Sequence, residues 1–244
     1  MDSGMYAAYT GLLARTQALD TAANNLANAG TNGFRAQKDY FRDVLAGQQA
    51  AGSQLGAAVN DFGVLGGNRP DLGQGALVET GNPLDLALDG QGFFALQTAN
   101  GVNYTRDGAF ERSQNGVLTT SRGEPVLDPQ GKTIPVPSGE VRVGPDGSIS
   151  VGGAVAGQVG VVDFPVGTQL TQQGANRFVV PAGTKPIAAA AAVRQGAVEG
   201  SNQDAVHGTM QLILVQRQAE MMQKALGVFD TGFDKAASEE LPRV

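Results

Sequence analysis

The sequence predicts an α+β fold: a long helix at each end, the two forming a coiled-coil pair, and an antiparallel all-β domain between them. Three observations carry this. Near the N-terminus, Met5, Tyr9, Leu12, Thr16, Leu19, Ala23 and Leu26 recur at alternating steps of four and three, the spacing of a helix that packs lengthwise on another. Near the C-terminus, Ala205, Gly208, Leu212, Val215, Ala219, Met222, Leu226, Phe229 and Phe233 repeat the pattern without a break. Between the seams, short apolar runs alternate with turn-forming pairs such as Asn100-Gly101 and Asp107-Gly108, the strongest local signal for hairpins.

In chain order, the first helix covers residues 3–29, about 40 Å at 1.5 Å per residue, with Asp2 or Ser3 as N-cap. Gly30 stands where a C-cap is wanted, and Thr31-Asn32-Gly33 reads as a turn. Opposite the seam lie Ala7, Gly11, Ala14, Ala18, Thr21, Asn25 and Asn28, all small or uncharged. A helix on the outside of a monomer carries charge there; this face suits close contact with something else, and Asn24, Asn25 and Asn28 are expected to stand idle in a lone chain. Residues 30–45 read as a turn and a short extended or helical piece. Residues 46–75, rich in Gly, Ala, Gln and Asn, read as linker.

From Ala76 the runs Leu84–Leu88, Phe93–Gln97, Val117–Thr119, Val141–Val143, Ile149–Val151, Val159–Phe164 and Arg177–Val180 read as strands of an antiparallel domain. Residues 182–200 read as a connector. Ser201-Asn202-Gln203-Asp204 has the shape of a capping box and opens the last helix, about 50 Å long. The predicted organisation is therefore a terminal helical domain from 1–36 and 198–244, a linker at 37–75, a β domain at 76–185 and a connector at 186–197. The seams are natural partners for one another, since loop-closure entropy grows only logarithmically with length.

Composition narrows the function. Only 16% of the 244 residues are charged, against roughly 25% in ordinary soluble domains, which suits a chain that buries surface in partners. A net charge of −6 with no basic cluster disfavours nucleic-acid binding. The absence of Cys excludes disulfides, thiolate catalysis and Cys-zinc sites. No apolar run approaches the length of a membrane span, and no cleavable secretory signal is legible at the N-terminus.

The chemistry of catalysis is equally thin. His207 is the single histidine and reads as a solvent-facing or interface residue. No Walker loop, serine elbow or triad is present. Asp85 and Asp89 could form an acid–base or Ca²⁺ pair, but a surface Asp and a hairpin Asp explain them as well. A filament-forming structural protein, a β-domain binding module dimerised by its helices and a hydrolase built on the Asp pair are the functions the sequence leaves open.

Four ordered motifs resemble one family: Ala23-Asn-Asn-Leu-Ala-Asn28 with Thr31-Asn-Gly-Phe-Arg35; Leu88-Asp-Gly-Gln-Gly-Phe-Phe94; Tyr104-Thr-Arg-Asp-Gly-Ala-Phe110; and Glu199-Gly-Ser-Asn202 leading to Gln216-Arg-Gln-Ala-Glu220. Together they resemble the flagellar axial proteins, specifically the rod and hook group. The opening Met1-Asp2, Tyr6 and Gly33-Phe-Arg-Ala-Gln37 fit its proximal-rod type, with the distal-rod type a close rival. The resemblance implies a structural, non-enzymatic subunit of the basal-body rod, without cofactor or metal, that assembles helically and passes torque from motor to hook. It implies other rod subunits and further copies of itself as partners, type III export without a cleaved signal, and neither nucleic-acid binding nor membrane insertion. The candidate assembly residues are Met5, Tyr9, Leu12, Leu19, Asn24, Asn25, Leu26, Asn28 and Phe34 at one end, and Leu212, Val215, Met222, Leu226 and Phe229 at the other.

Overall fold

The computed structural model describes residues 2–42 and 64–240. The middle of the expected linker and the side chains of Met5 and Phe229 lie outside the described residues. The chain forms two compact units. One comprises Met1–Leu26, Gln37–Arg69 and Ala205–Val244; the other comprises Ala27–Ala36 and Pro70–Asp204.

The first unit holds helix α1 (Asp2–Ala27), strands β1 (Gln37–Arg42) and β2 (Val64–Pro70), and helix α2 (Ala205–Glu240). β1 and β2 pair as a two-stranded ribbon, so both ends of the expected linker are ordered strand. Both predicted helices exist, but the predicted coiled-coil pair does not: among the described residues α1 and α2 form no such seam-to-seam pairing. On α1 the heptad positions Tyr9, Thr16 and Ala23 are exposed, whereas Gly11, Ala14, Ala18, Thr21, Ala22 and Asn25 are buried. Heptad spacing shows that an apolar stripe exists; it does not say that the stripe is the buried face. Here the face of small residues is buried, and its polar members bond to β1.

The second unit holds the other fifteen strands described: β3 (Leu77–Glu79), β4 (Leu86–Asp89), β5 (Phe93–Thr98), β6 (Gly101–Thr105), β7 (Phe110–Arg112), β8 (Leu118–Thr120), β9 (Val141–Val143), β10 (Ser148–Val151), β11 (Ala154–Gln158), β12 (Val161–Asp163), β13 (Thr171–Gln172), β14 (Arg177–Val179), β15 (Ile187–Ala188), β16 (Ala192–Gln195) and β17 (Ala197–Glu199). Six of them form an antiparallel sheet in the order β13-β14-β6-β5-β12-β15. A three-stranded sheet runs β11-β10-β9, and β16-β4, β17-β3 and β7-β8 are antiparallel pairs. The segment expected as connector therefore contains β15, β16 and the start of β17.

Turn chemistry fixes the hairpins. Thr98 pairs with Gly101 across Asn100 to close β5-β6. Asp146 Oδ1 accepts hydrogen bonds from the Ser148 amide and hydroxyl, closing β9-β10. β5 is buried on both faces. Phe94 and Leu96 join one core with Leu86, Leu88, Phe110, Leu118, Ile134, Ile149 and Val193, while Phe93 and Ala95 join a second with Tyr104, Phe164, Leu170 and Phe178. A strand covered on both sides reads as an unbroken apolar run, which is what Phe93–Leu96 is.

Gly108 shows how tightly the strands meet. Leu86 donates its amide to the Gly108 carbonyl at 2.9 Å, and a Cβ on Gly108 would lie 1.6 Å from the Leu86 carbonyl oxygen. Gly108→Ala is expected to destabilise this unit by about 3 kcal/mol or more, the upper range for overpacking against backbone, measured as a lowered urea midpoint at unchanged m-value. A midpoint within error of wild type would contradict the packing described.

Candidate functional site

The chain beyond α1 does not continue outward as a linker. α1 ends at Ala27, and the Asn28 carbonyl accepts from the Thr31 amide at 3.0 Å. The left-handed glycine is Gly33 (φ 67°), not Gly30. A side chain on Gly33 would strike the Asp107 amide nitrogen at 2.2 Å, so this turn lies directly on the β6-β7 connection. Phe34 follows, fully buried, and then Arg35, also fully buried.

A buried arginine needs an anion. Arg35 Nη2 donates to Glu199 Oε1 at 2.6 Å, and Arg106 Nη1 to Glu199 Oε2 at 3.0 Å. Glu199 has no solvent exposure. Its Oε1 also accepts the Gly75 amide at 2.7 Å, and its backbone carbonyl accepts the Gly33 amide at 2.7 Å. Arg106 Nη2 donates to the Gly90 carbonyl at 2.7 Å, with its guanidinium 5.5 Å from the Phe93 ring centre. Burial lowers the pKa of Arg106, and the Arg35 charge pushes the same way; the Glu199 carboxylate opposes both.

Asn202 completes the junction. Its Oδ1 accepts the Ala36 amide at 2.7 Å, and its Nδ2 donates to the carbonyls of Asp71 and Gly73 at 2.8 and 3.0 Å. The Asp71 amide in turn donates to the Ala36 carbonyl at 2.7 Å. Asn202 is thus drawn away from the expected capping box. The Ser201 hydroxyl accepts only the Gln203 amide, and α2 starts at Ala205. Beside this junction, Asp107 accepts hydrogen bonds from the Ala109 amide and from Asn176 Nδ2. Desolvation nevertheless raises its carboxyl above the usual Asp range.

Three of the four sequence motifs therefore meet in one buried cluster: Thr31–Arg35, Tyr104–Phe110 and Glu199–Asn202. The fourth, Leu88–Phe94, supplies the Gly90 carbonyl and the Phe93 ring. The comparisons with known proteins match this pattern. Residues 5–35 fit the flagella basal body rod protein family, and residues 87–151 fit the flagellar hook protein FlgE/F/G D1 domain. The chain is 36% identical to the flagellar basal-body rod protein FlgF of Mesorhizobium japonicum, with 90% of each chain covered. It is 34% identical to FlgF of Caulobacter vibrioides over 93% of each. It is 32% identical to FlgG of Agrobacterium fabrum over 91% of this chain and 94% of that one. The chain belongs to the flagellar basal-body rod protein family.

In this rod-family chain the candidate assembly residues divide. Asn25 is buried and already engaged: its Nδ2 donates to the Gln37 carbonyl and its Oδ1 accepts the Gln37 amide, both at 2.8 Å. The side chain pairs with β1 as a neighbouring strand would, and Thr21 Oγ1 adds a bond to Asp39 at 2.9 Å. Asn28 accepts from the Thr31 hydroxyl, and Asn24 is exposed with a polar interaction of its own. The expectation that these amides stand idle is therefore overturned. Phe34 is core, not surface.

Leu12, Leu19 and Leu26 are half-buried, and Tyr9 is 64% exposed. On α2 the seam residues Leu212, Val215, Met222 and Leu226 are half-buried, with Gly208 and Ala219 fully so. A second apolar stripe, Val206, Met210, Ile213, Leu214, Met221 and Val228, is exposed. At about 100° per residue it lies on the side opposite the seam. Arg217 and Lys224 lie on the same side and are exposed with it.

No catalytic arrangement emerges around the other candidates. Asp85 is buried and accepts from Thr80 and Asn82 as a turn anchor, Asp89 is exposed, and His207 is exposed.

Removing one member of a buried ion cluster leaves uncompensated charge. Glu199→Ala is expected to cost about 3–5 kcal/mol in urea denaturation. Replacing Arg35, Arg106 and Glu199 together by apolar residues is expected to cost less than that single change; a greater cost would refute the electrostatic account. Asp107 carries a pH signature. Its folded pKa lies above its unfolded one, so the folded state binds the proton more tightly and stability falls as pH rises between the two values. The stability advantage of wild type over Asp107→Asn should therefore grow as pH is lowered through that window, read from parallel urea titrations. A constant difference would mean no upward shift.

Proposed function

We propose that this chain is a structural subunit of the bacterial flagellar basal-body rod, without enzymatic activity, that self-assembles through its terminal helices and passes torque from motor to hook. The observation that carries this reading is the apolar stripe of α2, whose Met210, Leu214, Met221 and Val228 are each more than half exposed. Exposed apolar side chains gathered on one side of a helix mark an interaction site. The stripe runs from Val206 to Val228 of α2, about 33 Å at 1.5 Å per residue. Tyr9 and Leu13 extend the apolar exposure to α1. The family membership supports the same role, with other rod subunits and further copies of this chain as partners, the basal body as location, and the flagellar type III apparatus as the export route. In this reading Tyr9, Leu12, Leu19 and Leu26 on α1 and Leu212, Val215, Met222, Leu226 and Phe229 on α2 serve assembly.

The double substitution Met210→Asp/Leu214→Asp tests it. Both sites are exposed, so each change should alter subunit stability by no more than about 0.5 kcal/mol. Cells carrying the variant in place of the natural protein should fail to swim, and purified basal bodies should lack the subunit. Normal motility with the variant incorporated would refute assembly through this face.

A further inference from the structure

The cluster around Glu199 and Asn202 has a property that goes beyond the rod reading and does not depend on it. Three strands of chain, far apart in sequence, are bonded side by side: Gly33–Ala36, Asp71–Ala76 and Glu199–Asn202. Gly33 bonds to Glu199, Ala36 to Asp71, Gly200 to Ala76, and Asn202 to Phe34, all through backbone groups. Among the described residues, the side chains of Glu199 and Asn202 each reach more than one of the other stretches. Glu199 joins Arg35, Arg106 and Gly75, and Asn202 joins Ala36, Asp71 and Gly73.

Each of these stretches is where the chain enters or leaves the β-rich unit, whose segments are Ala27–Ala36 and Pro70–Asp204. The chain passes between the units after Leu26, after Ala36, after Arg69 and after Asp204. The last three passages lie within three residues of Ala36, Asp71 or Asn202, and Gly33 lies six residues beyond Ala27. Gly75 shows how closely the stretches lie, since a Cβ there would meet the Gly200 carbonyl oxygen at 2.2 Å.

We infer that Glu199 and Asn202 are the two positioning residues of a single latch. They hold the three chain stretches as one collar that opens and closes as a unit, separately from the two apolar cores. The arginines make the latch all-or-none. Arg35 and Arg106 share one carboxylate in a site closed to water, so releasing the 197–202 stretch strands both cations at once. Asn202 couples the remaining stretches, since its amide spans Ala36 on one side and Asp71 and Gly73 on the other. Local opening in such cooperative blocks is an established mode of native-state fluctuation.

Amide hydrogen exchange on the full chain tests this. Asn202→Ala removes no charge and touches neither core. It should speed exchange about 10- to 100-fold at Ala36. It should do the same at Gly33, Gly75 and Gly200, whose amides the Asn202 side chain does not contact. The β5-β6 and β10-β11 ladders should keep wild-type rates. Glu199→Gln, where it folds, should speed exchange at Ala36 and Asp71, which Glu199 does not contact. Acceleration confined to Ala36 in the Asn202 variant would make Asn202 a local bond and overturn the latch. Equal acceleration in the β5-β6 ladder would make the collar an ordinary part of the core and overturn it as well.

Discussion

One carboxylate, that of Glu199, sets the terms for the β-rich unit. It lies in a dry interior against two guanidinium groups, and two segments far apart in the chain depend on it for charge balance. Taking such ions out of water costs several kcal/mol each, and only good geometry recovers it. Here both carboxylate oxygens are engaged, one of them also holds a backbone amide, and Arg106 reaches a carbonyl and an aromatic face besides, while the Nε of Arg35 and of Arg106 are buried without a hydrogen-bond partner. The cluster still carries two cations to one anion; burial lowers the pKa of Arg106, and the neighbouring Arg35 charge pushes the same way. An apolar cluster of the same size would do as well for stability. What it could not do is specify that position 35 meets position 199, since apolar side chains exchange partners far more freely than a shared carboxylate does.

That specificity explains the neighbouring backbone. Gly33 is left-handed and sits on the Asp107 amide because Arg35 must enter the interior two residues later. Asn202 leaves the start of the helix and joins the collar for the same reason, and α2 begins three residues further on. Asp107 remains half-buried beside the junction at some electrostatic cost, held by the Ala109 amide and the Asn176 side chain. Each local departure from ordinary capping or turn chemistry lies within a few residues of the ion cluster.

The sequence shows the β-rich unit well where the signals are local. Asn100-Gly101 and Pro145-Asp146-Gly147 close the hairpins that their chemistry implies, and runs such as Phe93–Leu96 and Val141–Val143 are strands where expected. The ion cluster was visible as motifs but not as a contact. Arg35 and Glu199 are 164 positions apart, and no spacing rule connects residues at that distance. The β1-β2 ribbon is not legible in the sequence because Gln37–Arg42 mixes charge with aromatics and Val64–Pro70 holds two glycines, so neither shows a two-residue period. The helices were visible by existence and length. Their pairing was not, because a heptad template rewards Leu12, Leu19 and Leu26 and is blind to what Asn25 can do. An amide that presents a donor and an acceptor to Gln37 satisfies an extended strand, and the small residues around it leave the helix backbone open to approach.

The same blindness bears on α2, with the opposite consequence. Its heptad positions are the less exposed face, yet Met210, Leu214, Met221 and Val228 form a second stripe that the template does not register. A helix with a single apolar face can be satisfied within its own chain. A helix with apolar residues on opposite sides must expose one of them until something else arrives, and this one exposes side chains at 54–71% of their full area over more than four turns. Arg217 and Lys224 fall on the same side of the helix and are also exposed, so covering the stripe has to accommodate two cations. The chain thus separates its two tasks. Buried charge is used inside the β-rich unit, where Glu199 holds Arg35 and Arg106, while α2 presents exposed apolar side chains with Arg217 and Lys224 among them.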